Sequence, residues 1–208
     1  EYLLYNRETG FRWLVNSNHH WSVVGQVDKP PSSIGDEVSY DGDTLVPQCQ
    51  DSSAFTFFAK RGSLNKLLMY YYGGGACWDT LTCGFETCTQ TANPNPPPLN
   101  GSGFADFTHP DNPFKDWNLI LVPYCSCDIH LGDNAVDYPE VPPYTPAKHV
   151  EHRGHDNAKL TEKWVREHFL NPGDMFVTGS SAGSYGALVH GAHLSEVYVA
   201  TSINVMGD

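Results

Sequence analysis

Three apolar runs that do not alternate constrain this chain more than any other feature. Lys66-Leu67-Leu68-Met69-Tyr70-Tyr71-Tyr72 runs into three glycines, Leu119-Ile120-Leu121-Val122 stops at Pro123, and Met175-Phe176-Val177-Thr178 follows the Asn171-Pro172-Gly173 break. Successive side chains on a strand point to opposite faces, so a run that is apolar throughout is a strand buried on both. Such strands belong to parallel sheets covered by helices. Between the second and third runs, Leu160, Trp164, Val165 and His168 share one helical face, which predicts a helix over 156–169 with Asp156 as N-cap and Pro172 as stop. Strand, helix and strand then form a βαβ crossover, and the fold class is α/β, a mostly parallel sheet flanked by helices.

The rest of the chain is less explicit. Thr56 to Ala59 reads as a short strand ending at a Gly62-Ser63 turn. Residues 1–35 carry aromatics without a clean period, and Pro30-Pro31-Ser32-Ser33 reads as a loop. The Pro- and Gly-rich stretch from Asn93 to Gly103 reads as a surface excursion. With no internal repeat, the 208 residues are expected to be one domain.

Composition narrows the function classes. Hydrophobic residues at 40% suffice for a core, and charged residues at 17% are too few for a coiled coil. The net charge of −12 repels phosphate backbones and anionic membranes, which argues against nucleic-acid partners. No apolar run is long enough for a membrane span, and Glu1-Tyr2-Leu3 lacks the features of a signal peptide, so the chain reads as soluble and already processed. Cys49, Cys77, Cys83, Cys88, Cys125 and Cys127 form an even set in a lysine-poor chain, which fits an oxidising compartment and secretion. Their spacing forces no particular pairing. A zinc site on Cys77, Cys83 and Cys88 is the weaker alternative, because structural zinc favours tighter pairs. No metal or cofactor is expected.

The sharpest chemical signal is Gly179-Ser180-Ser181-Ala182-Gly183, placed after the third strand and before a helix-capable run, Ser184 to Leu194. A nucleophile elbow needs small residues on both sides of its serine, because the turn from strand to helix is tight. Ser181 would project above the sheet, and the Ala182 N–H would face a developing oxyanion. Gly73-Gly74-Gly75-Ala76-Cys77-Trp78, after the first strand, could bring further N–H donors close to a substrate oxygen. A phosphate-binding reading of these glycines lacks both the P-loop and the dinucleotide spacing.

Four segments together resemble the pectin acetylesterase and Notum family, nearer its bacterial members. They are Lys66 to Asp79, Val122 to His130, Arg153-Gly154-His155-Asp156-Asn157, and Gly179 to Gly186, with Pro47-Gln48-Cys49 fitting the family's opening. The likeness covers roughly residues 40–208 and implies an α/β-hydrolase fold, a serine nucleophile, secretion, and removal of acyl groups from esters. Matched position by position, Ser181 takes the place of the nucleophile, and Gly75, Ala76 and Ala182 take the oxyanion positions. Gly74 and Trp78 border the presumed substrate pocket. Ala76 and Ser184 depart from many relatives, which carry Trp and Gly there, so pocket shape and substrate are expected to differ.

In this fold the acid and the base follow the serine in the chain. His190 and His193 fall on the helix behind the elbow and are expected to point away from Ser181. The acid and base are therefore expected downstream of Asp208 or on a second chain, with residues 1–208 the N-terminal part of a single α/β-hydrolase domain, truncated or cleaved after the elbow. The strand near Ile203 to Met206 would then present an uncovered apolar edge. Other clusters weigh less. His149, Glu151, His152, His155 and Asp156 have metal-like spacing but read as a solvated loop before a helix. Asp128 and His130 read as a structural pair rather than an acid and base, His19-His20 reads as surface, and Trp78, Trp117 and Trp164 read as core residues before sugar platforms. The composite expectation is a secreted serine carboxylesterase acting on an ester substrate. A non-catalytic binding module and a polyester or peptide hydrolase on the same scaffold are the alternatives. The charge of −12 disfavours a polyanionic substrate such as polygalacturonate, leaving esters of neutral glycans or small soluble esters.

Overall fold

The computed structural model describes residues 2–5, 11–15, 22–27, 38–93 and 103–208. His19-His20, Pro30 to Ser33 and most of the Asn93 to Gly103 excursion lie outside the described residues. In chain order the elements are β1 (Tyr2–Tyr5), β2 (Phe11–Val15), β3 (Ser22–Val27), β4 (Val38–Tyr40), β5 (Asp43–Leu45), β6 (Phe57–Lys60), β7 (Lys66–Tyr71), α1 (Thr80–Gly84), β8 (Asn118–Val122), β9 (Asn134–Tyr138), β10 (Lys148–His152), α2 (Gly154–His168), β11 (Asp174–Gly179), α3 (Ala182–Val197) and β12 (Ser202–Gly207).

The three apolar runs become β7, β8 and β11, and they lie side by side. The main sheet has eight strands in the order β1-β2-β3-β6-β8-β7-β11-β12. Strands β8, β7, β11 and β12 are mutually parallel, whereas every pairing from β1 to β8 is antiparallel. The sheet is therefore mixed, which corrects the expectation of a mostly parallel one. Parallel neighbours need a crossover of about a dozen residues or more, and the connections 6–10 between β1 and β2 and 16–21 between β2 and β3 are too short for one. The aromatic-rich residues 1–35, uninformative as a pattern, supply three of these antiparallel strands.

Burial on both faces is what the non-alternating runs anticipated. Leu67, Met69 and Tyr71 pack on one face with Ile120, Val122, Met175 and Val177, against Leu160, Trp164 and Val165 of α2 and Ala187 and Leu194 of α3. Leu68, Leu119 and Leu121 face the other way, where Phe104, Phe107, Phe114 and Trp117 cover them. Both long helices thus lie on one face, and a coiled part of the β7–β8 connection closes the other. Trp164 and Trp117 pack as core residues, but Trp78 is 71% exposed and does not.

Helix α2 starts two residues earlier than expected. Asp156 is not its N-cap: the Gly154 N–H donates to Asp128 Oδ2 at 2.6 Å, so a carboxylate from another loop meets the helix N-terminus. The Asp156 carboxylate instead accepts from the Val46 N–H at 3.0 Å, and burial pushes its pKa up to about 6. The expected solvated loop before the helix is strand β10, paired with β9, where His149 bonds Asp137 at 2.6 Å and Glu151 at 3.0 Å. Strand β12 takes up Ile203 to Met206, with Val205 and Met206 partly exposed beside Tyr185, Leu188 and Val189 of α3. Its outer edge pairs with no other strand among the described residues.

All six cysteines pair, as Cys49–Cys125, Cys77–Cys83 and Cys88–Cys127. Every bridge involves a loop that follows β7 or β8, so the disulfides fix the end of the sheet to which the parallel strands point. Gln50 N–H donates to the Cys125 carbonyl at 2.7 Å, and Asn157 Nδ2 donates to the Gln48 carbonyl at 2.9 Å, tying the Pro47-Gln48-Cys49 segment to the same region.

Peptide mapping of denatured, unreduced protein is expected to return these three linked pairs, with no alkylation of any of the six cysteines. Replacing Cys49 and Cys125 by Ala is expected to cost about 2–5 kcal/mol of stability, because the bridge spans 76 residues of sequence. Alkylation of Cys49 or Cys125 in untreated protein would contradict the pairing.

Candidate active site

The turn from β11 into α3 is tightly packed. Ser181 is the N-cap of α3 and sits at φ 53°, ψ −121°, a conformation that non-glycine residues rarely adopt. The neighbouring glycines are explained by contact. A Cβ on Gly183 would stand 2.1 Å from the Tyr71 carbonyl oxygen, and one on Gly179 would stand 2.3 Å from the Gly183 oxygen. A Cβ on Gly73 would stand 2.4 Å from the Ser180 oxygen. The end of β7 and the turn therefore touch backbone to backbone. Ser180 N–H donates to the Tyr71 carbonyl at 3.3 Å, and Tyr70 OH donates to Ser180 Oγ at 2.9 Å. On the other side, Ser181 N–H and Ser184 Oγ both donate to the Asp208 carbonyl, at 2.9 and 2.6 Å.

Ser181 is exposed, and it faces a cleft of about 730 Å³ lined also by Gly75, Ala76, Ile129, Ala182, Tyr185 and Leu188. Four sequence candidates, Ser181, Gly75, Ala76 and Ala182, are thus brought together. Ala182 is the first residue of α3, where an N–H has no carbonyl four residues back within the helix. Gly75 has φ 77°, and a Cβ there would meet the Thr87 oxygen at 2.1 Å, so only glycine fits. Gly74 does not line this cleft. Its Cα faces Thr89 and Tyr124, which a Cβ would approach to 2.4 and 2.8 Å.

Trp78 lines a second cleft, of about 710 Å³, with Tyr138, His152 and Leu131. The two clefts share Ala76, Ile129 and Tyr185 and so meet at a saddle beside Ser181. Trp78 is held just ahead of α1, whose N-cap Asp79 accepts from the Thr82 N–H at 2.8 Å, and next to the Cys77–Cys83 bridge. Ile129, Tyr185 and Leu188 were missed in the sequence. The last two lie four and seven residues after Ser181, the helical spacing that puts a side chain on the same face, and that signal could have found them.

The buried histidines His130, His152 and His190 are engaged elsewhere. His130 Nε2 donates to the Tyr72 carbonyl at 2.8 Å, and burial drives its pKa down to about 4, so it is neutral. Its partnership with Asp128 is through its own backbone N–H, at 3.2 Å, not its ring. His152 bonds the Ser126 carbonyl and Tyr138 OH, both at 3.1 Å. His190 bonds Glu162 and the His130 carbonyl. Among the described residues no histidine hydrogen-bonds the Ser181 hydroxyl. Asp128 accepts from Ser126 Oγ and from the N–H groups of His130, Gly132 and Gly154, yet burial still raises its pKa. Among the described residues two clusters have metal-like spacing, Cys77, Cys88 and Cys127, and Cys77, Cys83 and His152. Every sulfur in them belongs to a disulfide and offers no thiolate.

A family model described as pectinacetylesterase matches residues 44–208. No curated protein matches the chain significantly.

Gly183→Ala is expected to destabilise the protein by about 3 kcal/mol or more, since the added methyl meets backbone rather than a side chain that can turn aside. Gly42→Ala, where nothing lies within 4 Å, is the control; at φ 89° it is expected to cost only the strain of the left-handed region, roughly 1 kcal/mol. Equal melting temperatures for the two variants would refute the close contact at the elbow.

Proposed function

The chain belongs to the pectinacetylesterase family, and with it to the ester hydrolases, and we propose that it works through an acyl-enzyme formed on Ser181. One observation carries this reading: an exposed serine at a strained strand-to-helix turn shares its cleft with Gly75, Ala76 and Ala182. In this mechanism Ser181 Oγ attacks the ester carbonyl carbon and gives up its proton to a base. Negative charge gathers on the carbonyl oxygen, where the backbone N–H groups of Gly75, Ala76 and Ala182 receive it, with the N-terminal end of the α3 dipole behind them. Collapse of the tetrahedral intermediate expels the alcohol, and water then releases acetate and restores the serine.

The base is assigned to a group other than His130, His152 and His190. What supports this is that His130, His152 and His190 already use their rings to hold backbone or buried side chains, as described above. A fully buried histidine whose pKa is pushed down to about 4 is poorly suited to take a proton near neutral pH.

The acyl group occupies the cleft at Ser181, and the alcohol part lies across the saddle against Trp78. An exposed indole held beside a capped helix offers a flat apolar face to a sugar ring. Gly74 contributes by letting the loop pack on Thr89 and Tyr124, which sets the height of Gly75 and Ala76. With a net charge of −12, acetylated neutral glycans or small acetate esters suit the protein better than a polyanion. Three disulfides around the site fit a secreted enzyme.

The test uses the polypeptide expressed from its full coding sequence. Ser181→Ala is expected to lower turnover of p-nitrophenyl acetate at least about a thousandfold, as loss of a covalent nucleophile does. Retained turnover would overturn the assignment and favour a non-catalytic binding module or another nucleophile. Trp78→Ala is expected to raise KM for an acetylated neutral oligosaccharide about fivefold while p-nitrophenyl acetate turnover stays unchanged. An unchanged KM would remove Trp78 from the substrate site.

A further inference from the structure

Beneath the candidate active site lies a buried polar chain that the mechanism above does not use. Glu162 of α2 is wholly buried, and its Oε1 accepts from His190 Nδ1 at 3.0 Å. Lys159 Nζ and His193 Nε2 each stand 3.4 Å from its other oxygen. His190, on α3 and 1% exposed, directs Nε2 at the His130 carbonyl at 2.9 Å. The two ring nitrogens of His190 thus bridge a buried carboxylate and a backbone carbonyl. The His130 ring then donates through Nε2 to the Tyr72 carbonyl at 2.8 Å. Tyr72 directly precedes Gly73, Gly74 and Gly75.

Aromatic packing holds the same groups in place. The His190 ring stacks on Tyr71 with centroids 5.5 Å apart and planes 8° apart, and His130 meets Tyr71 edge-on at 5.3 Å. Helix α3 approaches His130 at Gly186, where a Cβ would stand 2.9 Å from the ring. His130 itself is held at φ 65°. A strained, fully buried residue bonded at both its carbonyl and its ring is a fixed strut, and its far end is the carbonyl at the root of the glycine loop.

We propose that Glu162, His190 and His130 are positioning residues that set the Gly73–Ala76 loop against Ser181. The proposal rests on the Ser181 reading. Helix α3 carries Ser181 at its N-cap and His190 about two and a half turns further on, so one rigid element holds both the nucleophile and the clamp on the loop that faces it. Glu162 couples that helix to α2, whose own N-terminus is met by Asp128 from the loop that contains His130. Removal of the His190 donor would free the His130 carbonyl and let the glycine loop relax away from the developing oxyanion. Such a loss acts on the transition state and leaves ground-state binding nearly intact.

The experiment compares three variants with wild type in the polypeptide expressed from its full coding sequence, using p-nitrophenyl acetate and normalising to sites titrated by a fluorophosphonate. The double variant Glu162→Gln with His190→Leu removes the donor and neutralises the carboxylate that bonds it; Lys159, which also faces that carboxylate, keeps its contact with the Tyr40 ring. It is expected to lose kcat by about ten- to a hundredfold, with KM within about threefold, a fraction of what deleting an oxyanion donor outright costs. His190→Gln retains an N–H near the position of Nε2 and is expected to keep kcat within about threefold of wild type. Ser181→Ala is run beside them. Wild-type kcat per titrated site in the double variant would overturn the positioning role, and so would a His190→Gln variant as impaired as the double variant. Turnover by Ser181→Ala would instead overturn the Ser181 reading and this inference with it.

Discussion

Everything at this site depends on two backbones in direct contact, the end of β7 and the turn from β11 into α3. Three glycines, Gly73, Gly179 and Gly183, make that approach possible, since a Cβ on any of them would fall within 2.4 Å of a backbone oxygen. The contact does more than save space. The β7 strand runs straight on into the Gly73–Ala76 loop, so locking its end to the elbow also fixes where that loop's N–H groups emerge relative to Ser181. Parallel neighbours are what allow this, because adjacent parallel strands end on the same side, and β7 pairs with β11 in register from Lys66 and Asp174 to Tyr71 and Gly179.

The disulfides complete the same task on a longer scale. Loops after β7 and β8 are long and irregular, and their backbones have few ladder partners of their own. Cys77–Cys83 closes the loop that leads into α1, Cys88–Cys127 joins it to the loop after β8, and Cys49–Cys125 anchors that second loop to the chain entering from β5. Around them Cys77 N–H donates to the Cys127 carbonyl at 2.8 Å and Thr89 N–H to the Gly74 carbonyl at 2.8 Å. The cleft walls are thus cross-linked to one another and to the sheet.

How much of this was legible in the sequence depended on whether the signal was local. The non-alternating runs and the G-x-S-x-G string lie within short windows, so β7, β8, β11 and the elbow could be placed from sequence alone. The antiparallel half could not, because its aromatics follow no clean period and β6 pairs with β3 and β8 across 28–56 and 61–117. Asp156 looked like an N-cap because nothing in its neighbourhood shows that Asp128, from a distant loop, already meets the helix N-terminus. Cys88 and Cys127 likewise gave no sign of each other. By residue type Trp78 reads as core, and only the family resemblance puts it at the border of the pocket. Its exposure follows from its place at a tip held by a local capping box, which burial preferences do not describe.

Strain gathers beside the candidate site. Among the described residues Cys127, Ile129, His130 and Ser181 all hold positive φ without being glycine, and all four lie at or beneath the two clefts. Each such residue costs of order 1–3 kcal/mol unless its surroundings enforce it. Here the enforcement is visible: a disulfide on Cys127, Tyr124 OH accepting from the Ile129 N–H at 2.8 Å, and the Asp128 carboxylate gathering donors from both sides of the bend. The loop is therefore rigid by over-determination rather than by regular secondary structure. In the proposed mechanism, a rigid loop bearing Ile129 beside Ser181 would confine where a bound carbonyl can sit, so that the donors across the cleft need not move as charge develops. Preorganised donors of that kind stabilise a transition state more than a ground state, and the unfavourable dihedrals are the cost of having them in place beforehand.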